Sequence, residues 1–161
     1  MGAKTTETPE PQMQIGPQPV EELNRLVTLC HDAEEGYKKA QDAVDNANLQ
    51  QMFHDLAQER ARFITQLSNK ITDWNGEPTT SGSLPGALHR GWMDLATIIA
   101  DREAVAILQE CTRGEEFAKE AYQNVLADTD LDDSTRQLIT AQYNEIDAAY
   151  RRMQELQAEY E

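Results

Sequence analysis

Proline is confined to a few places in this chain, and that confinement decides most of what the chain can fold into. Prolines stand at 9, 11, 17 and 19, then at 78 and 85, and nowhere else. Two long runs, 20–77 and 86–161, are left without the residue that most strongly breaks helices. Ala, Glu, Gln and Leu fill 64 positions against 13 for Val plus Ile, a balance that favours helix over sheet. Residues 1–18, rich in Pro, Thr and Gln, are expected to form a disordered tail. Residues 19–161 are then one domain, because 161 residues leave little room for a second core.

Apolar residues recur at helical spacing through both runs. A first helix is expected over 20–44, with Leu23, Leu26, Val27, Cys30, Tyr37, Ala40 and Val44 on one face. A turn at Asp45-Asn46-Ala47-Asn48, with Asp45 or Asn46 as N-cap, leads to a second helix over 47–74. Its stripe is Leu49, Phe53, Leu56, Phe63, Leu67 and Ile71. The stretch 75–83 is a loop, followed by a short amphipathic helix over 85–99. Two more long helices are expected over 102–127 and 133–159, joined by the acidic turn DTDLDDS. Each carries one apolar stripe and must bury it against the others. Short connections make the first and last pairs antiparallel hairpins. The long middle connection can traverse the bundle and return the third helix parallel to the second. The expected fold is therefore all-α: a ferritin-like four-helix bundle whose long crossover contains an extra short helix.

The net charge of −15 argues against binding to nucleic acid or to an anionic membrane. No apolar run approaches a membrane span, and MGAKTTETPEPQ lacks the apolar stretch of a secretory signal. Cys30 and Cys111 are too few for a disulfide scaffold and read as reduced thiols, which suits a cytoplasmic location. Phosphate-binding glycine loops, nucleophile elbows and CxxC pairs do not occur.

The two hairpins repeat one another. Cys30-x3-Glu34-Glu35-x2-Lys38-x-Ala40 in the first matches Cys111-x3-Glu115-Glu116-x2-Lys119-x-Ala121 in the third helix. Four glutamates also fall within apolar stripes: Glu34, Glu59, Glu115 and Glu145, one on each helix. Counted from the turns, they lie near mid-helix and at similar heights. Four converging carboxylates need a counter-charge. Two divalent ions, iron or manganese, are one way to supply it. The usual His three residues after Glu is absent, since Arg62 follows Glu59 and Ala148 follows Glu145 at that offset. In the alternative, the glutamates border the core and pair with Arg60, Arg62, Arg113 or a hydroxyl of Tyr37, Tyr122 or Tyr143. The cysteines read either as soft ligands or a redox pair, or as small buried hydrophobes. Residues 81–95 form either a ligand or partner patch or a lid over the bundle.

Several stretches resemble a known family: LNRLVTLCHDAEEGYKKA (23–40), LAQERARFITQL (56–67), SGSLPGALHRGWMDL (81–95), CTRGEEFAKEAY (111–122) and AQYNEIDAAYRRMQEL (141–156). The chain is similar to bacterial ferritin-like four-helix-bundle proteins of unknown function, conserved proteins of the Pseudomonas type. The resemblance implies the ferritin-like fold with a crossover helix, and supplies no reaction. It also implies that relatives often carry His where this chain has Tyr150. The expected role is a non-catalytic or stress-associated bundle protein that self-associates, for instance as a dimer. The alternative is a carboxylate-bridged di-metal oxidase or metal store using Glu34, Glu59, Glu115 and Glu145. A DNA-protecting role is disfavoured by charge, and no small-molecule substrate is indicated.

Overall fold

The computed structural model describes residues 17–82 and 103–161. Four long helices result: α1 (Pro17–Ala43), α2 (Ala47–Asp73), α3 (Ala104–Leu126) and α4 (Asp133–Tyr160). Among the described residues there is no strand. α1 starts at Pro17, so it takes in the last two positions assigned to the tail. Prolines are tolerated there because first-turn N–H groups have no intrahelical acceptor. The rest of the expected tail and the expected short helix over 85–99 lie outside the described residues.

Local chemistry sets the ends. Asn46 caps α2, its side chain accepting from the Leu49 N–H at 3.0 Å. Asp132 caps α4 in the same way, accepting from the Thr135 N–H at 2.8 Å. After α2 the chain reverses at Asn75, whose φ of 64° lies in the left-handed region. The Gly76 N–H donates to the Ile71 carbonyl and the Asn75 N–H to the Thr72 carbonyl, which makes a Schellman stop. Gly76 is there for space: a Cβ would sit 2.9 Å from Ile71 and 3.0 Å from Val20.

Cross-helix contacts fix the topology. Cys30 faces Tyr122 and Tyr37 faces Glu115, so α1 and α3 are antiparallel. Arg62 faces Glu145 and Lys70 faces Ser134, so α2 and α4 are antiparallel too. Each hairpin being antiparallel, α2 and α3 run parallel and lie on a diagonal. This is the crossover connectivity expected of a ferritin-like bundle.

Burial keeps the register of the sequence repeat. Leu26, Val27, Leu29, Cys30, Ala33 and Tyr37 are buried on α1, and Val44 just past its end. At the offset carrying Cys30 to Cys111, Ile107, Leu108, Glu110, Cys111, Gly114, Ala118 and Val125 are buried on α3. The offset carrying Asn46 to Asp132 likewise takes buried Phe53, Arg60, Phe63 and Leu67 to buried Ile139, Ile146, Ala149 and Met153. The apolar core divides into two clusters. One holds Leu23, Leu26, Leu67, Ile71, Val125 and Ile139. The other holds Tyr37, Ala40, Leu49, Phe53, Ile107 and Met153. Polar residues occupy the seam between them.

Candidate functional site: a buried arginine at the bundle centre

Arg60 projects from the middle of α2 into that seam and is 1% exposed. Its Nη2 donates to Oε1 and Oε2 of Glu115 at 2.7 and 2.6 Å, across the bundle diagonal. Glu115 has no exposure at all. The Tyr37 hydroxyl donates to the same carboxylate from α1. The guanidinium carbon lies 5.7 Å from the ring centres of both Tyr37 and Phe63, within reach of cation–π attraction. Tyr37 is held in place by stacking on Phe53 at 6.0 Å. Burial opposes the charge of the guanidinium, and the Glu115 carboxylate more than offsets that, so the arginine pKa is raised further above its already high usual value. Burial, and then the charge of Glu115, pushes the Tyr37 phenol well above its usual range.

The four sequence-predicted glutamates divide. Glu115 is at the centre. Glu59 lies beside it, its Oε1 3.4 Å from Arg60 Nε, and its carboxyl hydrogen-bonds Glu145. Burial raises the Glu59 pKa to about 7, and the charges of Glu115 and Glu145 act in the same direction. Glu145 lies at the rim, where Arg62 Nη2 pairs with its Oε1 at 2.9 Å and holds its pKa down. Glu145 thus differs from Glu59, because an exposed arginine reaches it and favours its charged form.

Glu34 departs further. It is half-buried and pairs with Lys38 on its own helix at 3.0 Å, not with the Arg60 group. The repeat explains this. Glu34 corresponds to Glu115, and the position corresponding to Arg60 is Ile146. A carboxylate turned fully inward at 34 would meet an aliphatic side chain, so it keeps to the half-exposed flank beside Lys38. Among the described residues, no three His, Cys, Asp or Glu side chains form a group able to hold a metal ion.

A second polar crossing lies one level away. The Tyr122 hydroxyl donates to Gln142 Oε1 at 2.7 Å, which commits its single proton. The Cys30 thiol, 3.4 Å away, is then the donor to the Tyr122 oxygen. Gln142 Nε2 continues to Gln66 Oε1 at 2.9 Å. One chain of bonds thus joins α1, α3, α4 and α2. Sequence reasoning missed Gln142; its signal was a polar residue four before Ile146 and three after Ile139. Both cysteines are free and buried. Desolvation pushes Cys30 up to about 11 and Cys111 well above its usual value. Of the other suggested partners, Arg113 pairs with Glu110, and Tyr143 accepts from Gln123 at 2.9 Å. The patch expected at 81–95 lies, apart from Ser81 and Gly82, outside the described residues.

Comparison with known proteins agrees with this fold. A solved structure described as a dodecameric thioferritin, the bacterioferritin-related protein from Bacteroides fragilis, superposes with a TM-score of 0.70. The likeness covers 89% of this chain and 87% of that one at 19% identity, and so bears on the fold alone. No curated protein matches. Among the described residues, no helix is long and apolar enough to cross a membrane. A family model described as a domain of unknown function, DUF2383, matches residues 18–128, and the chain belongs to that family of ferritin-like helical bundles.

Proposed function

We propose that this protein is a non-catalytic, self-associating helical bundle whose polar centre is a structural ion pair and not a reaction centre. The observation that carries the reading is the position of Arg60. A cluster of inward glutamates needs positive charge, and the guanidinium supplies it from within the chain. The donor set also suits two divalent ions poorly. Glu34 is already paired with Lys38, and Arg62 and Ala148 stand where nitrogen ligands would be expected. An iron or manganese ion placed beside Glu115 would have to displace a cation already bonded to both its oxygens. Self-association is supported by the solved neighbour, which is described as dodecameric.

The metal-store reading keeps one point in its favour. Glu59, Glu115 and Glu145 do gather on one side of the bundle, and the neighbour is described as a thioferritin. One experiment separates the two. Protein purified without chelator is analysed for iron, manganese and zinc, and its melting temperature is followed as each metal is added. Well under one ion per chain and no shift in melting are expected. Stoichiometric metal, bound by wild type and lost in Glu59→Gln, would replace the ion-pair reading with the metal-store one.

A further inference from the structure

We infer that the groove between the start of α2 and the end of α4 is a docking site for a cationic amphipathic helix of a partner protein. The inference goes beyond the ion-pair reading and names the chemistry of a partner. The groove encloses about 620 Å³. Its floor is aliphatic, made by Met52 and Leu56 of α2 and Leu156 of α4, all three only partly buried against the core. Its lip is Tyr160, at 37% the exposed large hydrophobic side chain among the described residues. An aromatic lip over an aliphatic floor, presented between two helices, is the shape that receives one face of a third helix.

Charge selects the occupant. Asp55, Glu155 and Glu159 line the groove against a single Arg152. α4 has no basic residue in its last turn, so Glu159 stands at the negative end of the helix dipole without local compensation. A cationic ligand relieves that arrangement; an acidic one worsens it. A second copy of this chain, at a net charge of −15, is the less suited occupant. The fitting partner presents two aliphatic side chains one helical turn apart, flanked by Lys or Arg.

The probe is a labelled peptide of about 18 residues, Leu and Lys patterned at helical period. Its control has the same composition scrambled so that no apolar face forms. Both are titrated into the full chain at about 0.15 M salt, and anisotropy is read. The patterned peptide is expected to bind at least about tenfold tighter than the control, and Leu156→Gln, which removes the apolar floor without changing charge, to weaken it about tenfold or more. Tyr160→Ser, at an exposed position, should weaken it without touching the fold, which circular dichroism checks. Equal binding of both peptides would show attraction to net charge alone and overturn the proposal. So would absence of binding, as when residues 83–102 of the chain fill the groove. Loss of self-association in Leu156→Gln, with no peptide bound by wild type, would make the groove a contact between copies and overturn it too. Those outcomes leave the ion-pair reading intact, because the metal measurements test that separately.

Discussion

Arg60 reaches Glu115 across the diagonal of the bundle, one guanidinium nitrogen bonding both carboxylate oxygens, with neither residue open to water. The two residues sit on parallel helices that make few other contacts, so the pair ties together elements that the hairpins do not. It also stands at the seam between the two apolar clusters. Taking two charges out of water is costly, and their attraction offsets that cost only where geometry is good and the remaining donors are satisfied. Tyr37 adds a hydrogen bond to the carboxylate, while Arg60 Nε has Glu59 Oε1 at 3.4 Å as an ion pair and no hydrogen-bond partner of its own.

Breaking this pair from either side should leave one buried charge without its partner. Arg60→Met alone, or Glu115→Leu alone, is expected to lose about 3–5 kcal/mol of stability. The double variant should recover most of that, since a well-packed apolar replacement can be nearly neutral. Denaturant unfolding of all four proteins gives the coupling energy directly. Additive losses in the double variant would mean that the two residues matter separately, through packing.

Tyr37→Phe isolates the third member. It removes a hydroxyl that donates to a charged, buried acceptor and leaves the ring on Phe53. The expected loss is about 1.5–3 kcal/mol, the range for hydrogen bonds to charged groups. Tyr122→Phe breaks bonds between uncharged groups, Cys30 and Gln142, and should lose less, about 1 kcal/mol. Equal losses would argue that the Glu115 bond gains nothing from charge.

Stability should also depend on pH, through Glu59 first. Its folded pKa is raised to about 7, so the folded protein holds that proton more tightly than the unfolded chain. The stabilisation is full below the ordinary carboxylate value of about 4.3 and is lost as pH rises through about 7. Glu22, raised to about 7 by burial and by its hydrogen bond to Asp128, acts in the same direction. Glu145, Asp132 and Asp147 are held low by Arg62, Thr135 and Lys119, so their contribution is kept at neutral pH and lost in acid. The melting temperature should therefore be higher near pH 5.5 than near pH 8, and fall again in stronger acid. Glu59→Gln keeps a donor toward Glu145 and removes the titration, so it should flatten the slope between those values. A slope unchanged in Glu59→Gln would place the effect in overall charge repulsion.

The four helices and their crossover were legible because a single period runs through each proline-free stretch, and because connection lengths alone separate the two bundle topologies. Mid-helix glutamates in apolar stripes were legible as a cluster for the same reason. Which of them turns inward was not. Glu34 and Glu115 occupy the same place in the repeat, and helical periodicity cannot distinguish them. The decision is made across the bundle, where Arg60 faces one and an aliphatic counterpart, Ile146, stands in the other half. Arg60 was legible as one of three arginines that could partner the glutamates, but only the path of its long stem across the core singles it out. Gln142 was overlooked because a lone amide carries no pattern until Tyr122 and Gln66 are brought to it.

The cysteines give the last prediction. Thiolate is the reactive form, and both thiols are buried with pKa values raised, Cys30 to about 11 by desolvation despite the nearby Arg60. Cys30 moreover gives its proton to the Tyr122 oxygen, since that hydroxyl is committed to Gln142. Cys111, on α3 one turn before Glu115, has its pKa raised by burial and by that carboxylate. Neither should react with iodoacetamide at pH 8 in the native protein on the timescale that labels free cysteine. In denaturant both should label fully. The native rate should track unfolding, rising in Arg60→Met about tenfold for each roughly 1.4 kcal/mol of lost stability when opening is in rapid equilibrium. Rapid native labelling of either thiol, at a rate indifferent to Arg60→Met, would mean that the thiol has its own path to solvent and a low-pKa form. The cysteines would then belong to a reactive site and not to the core.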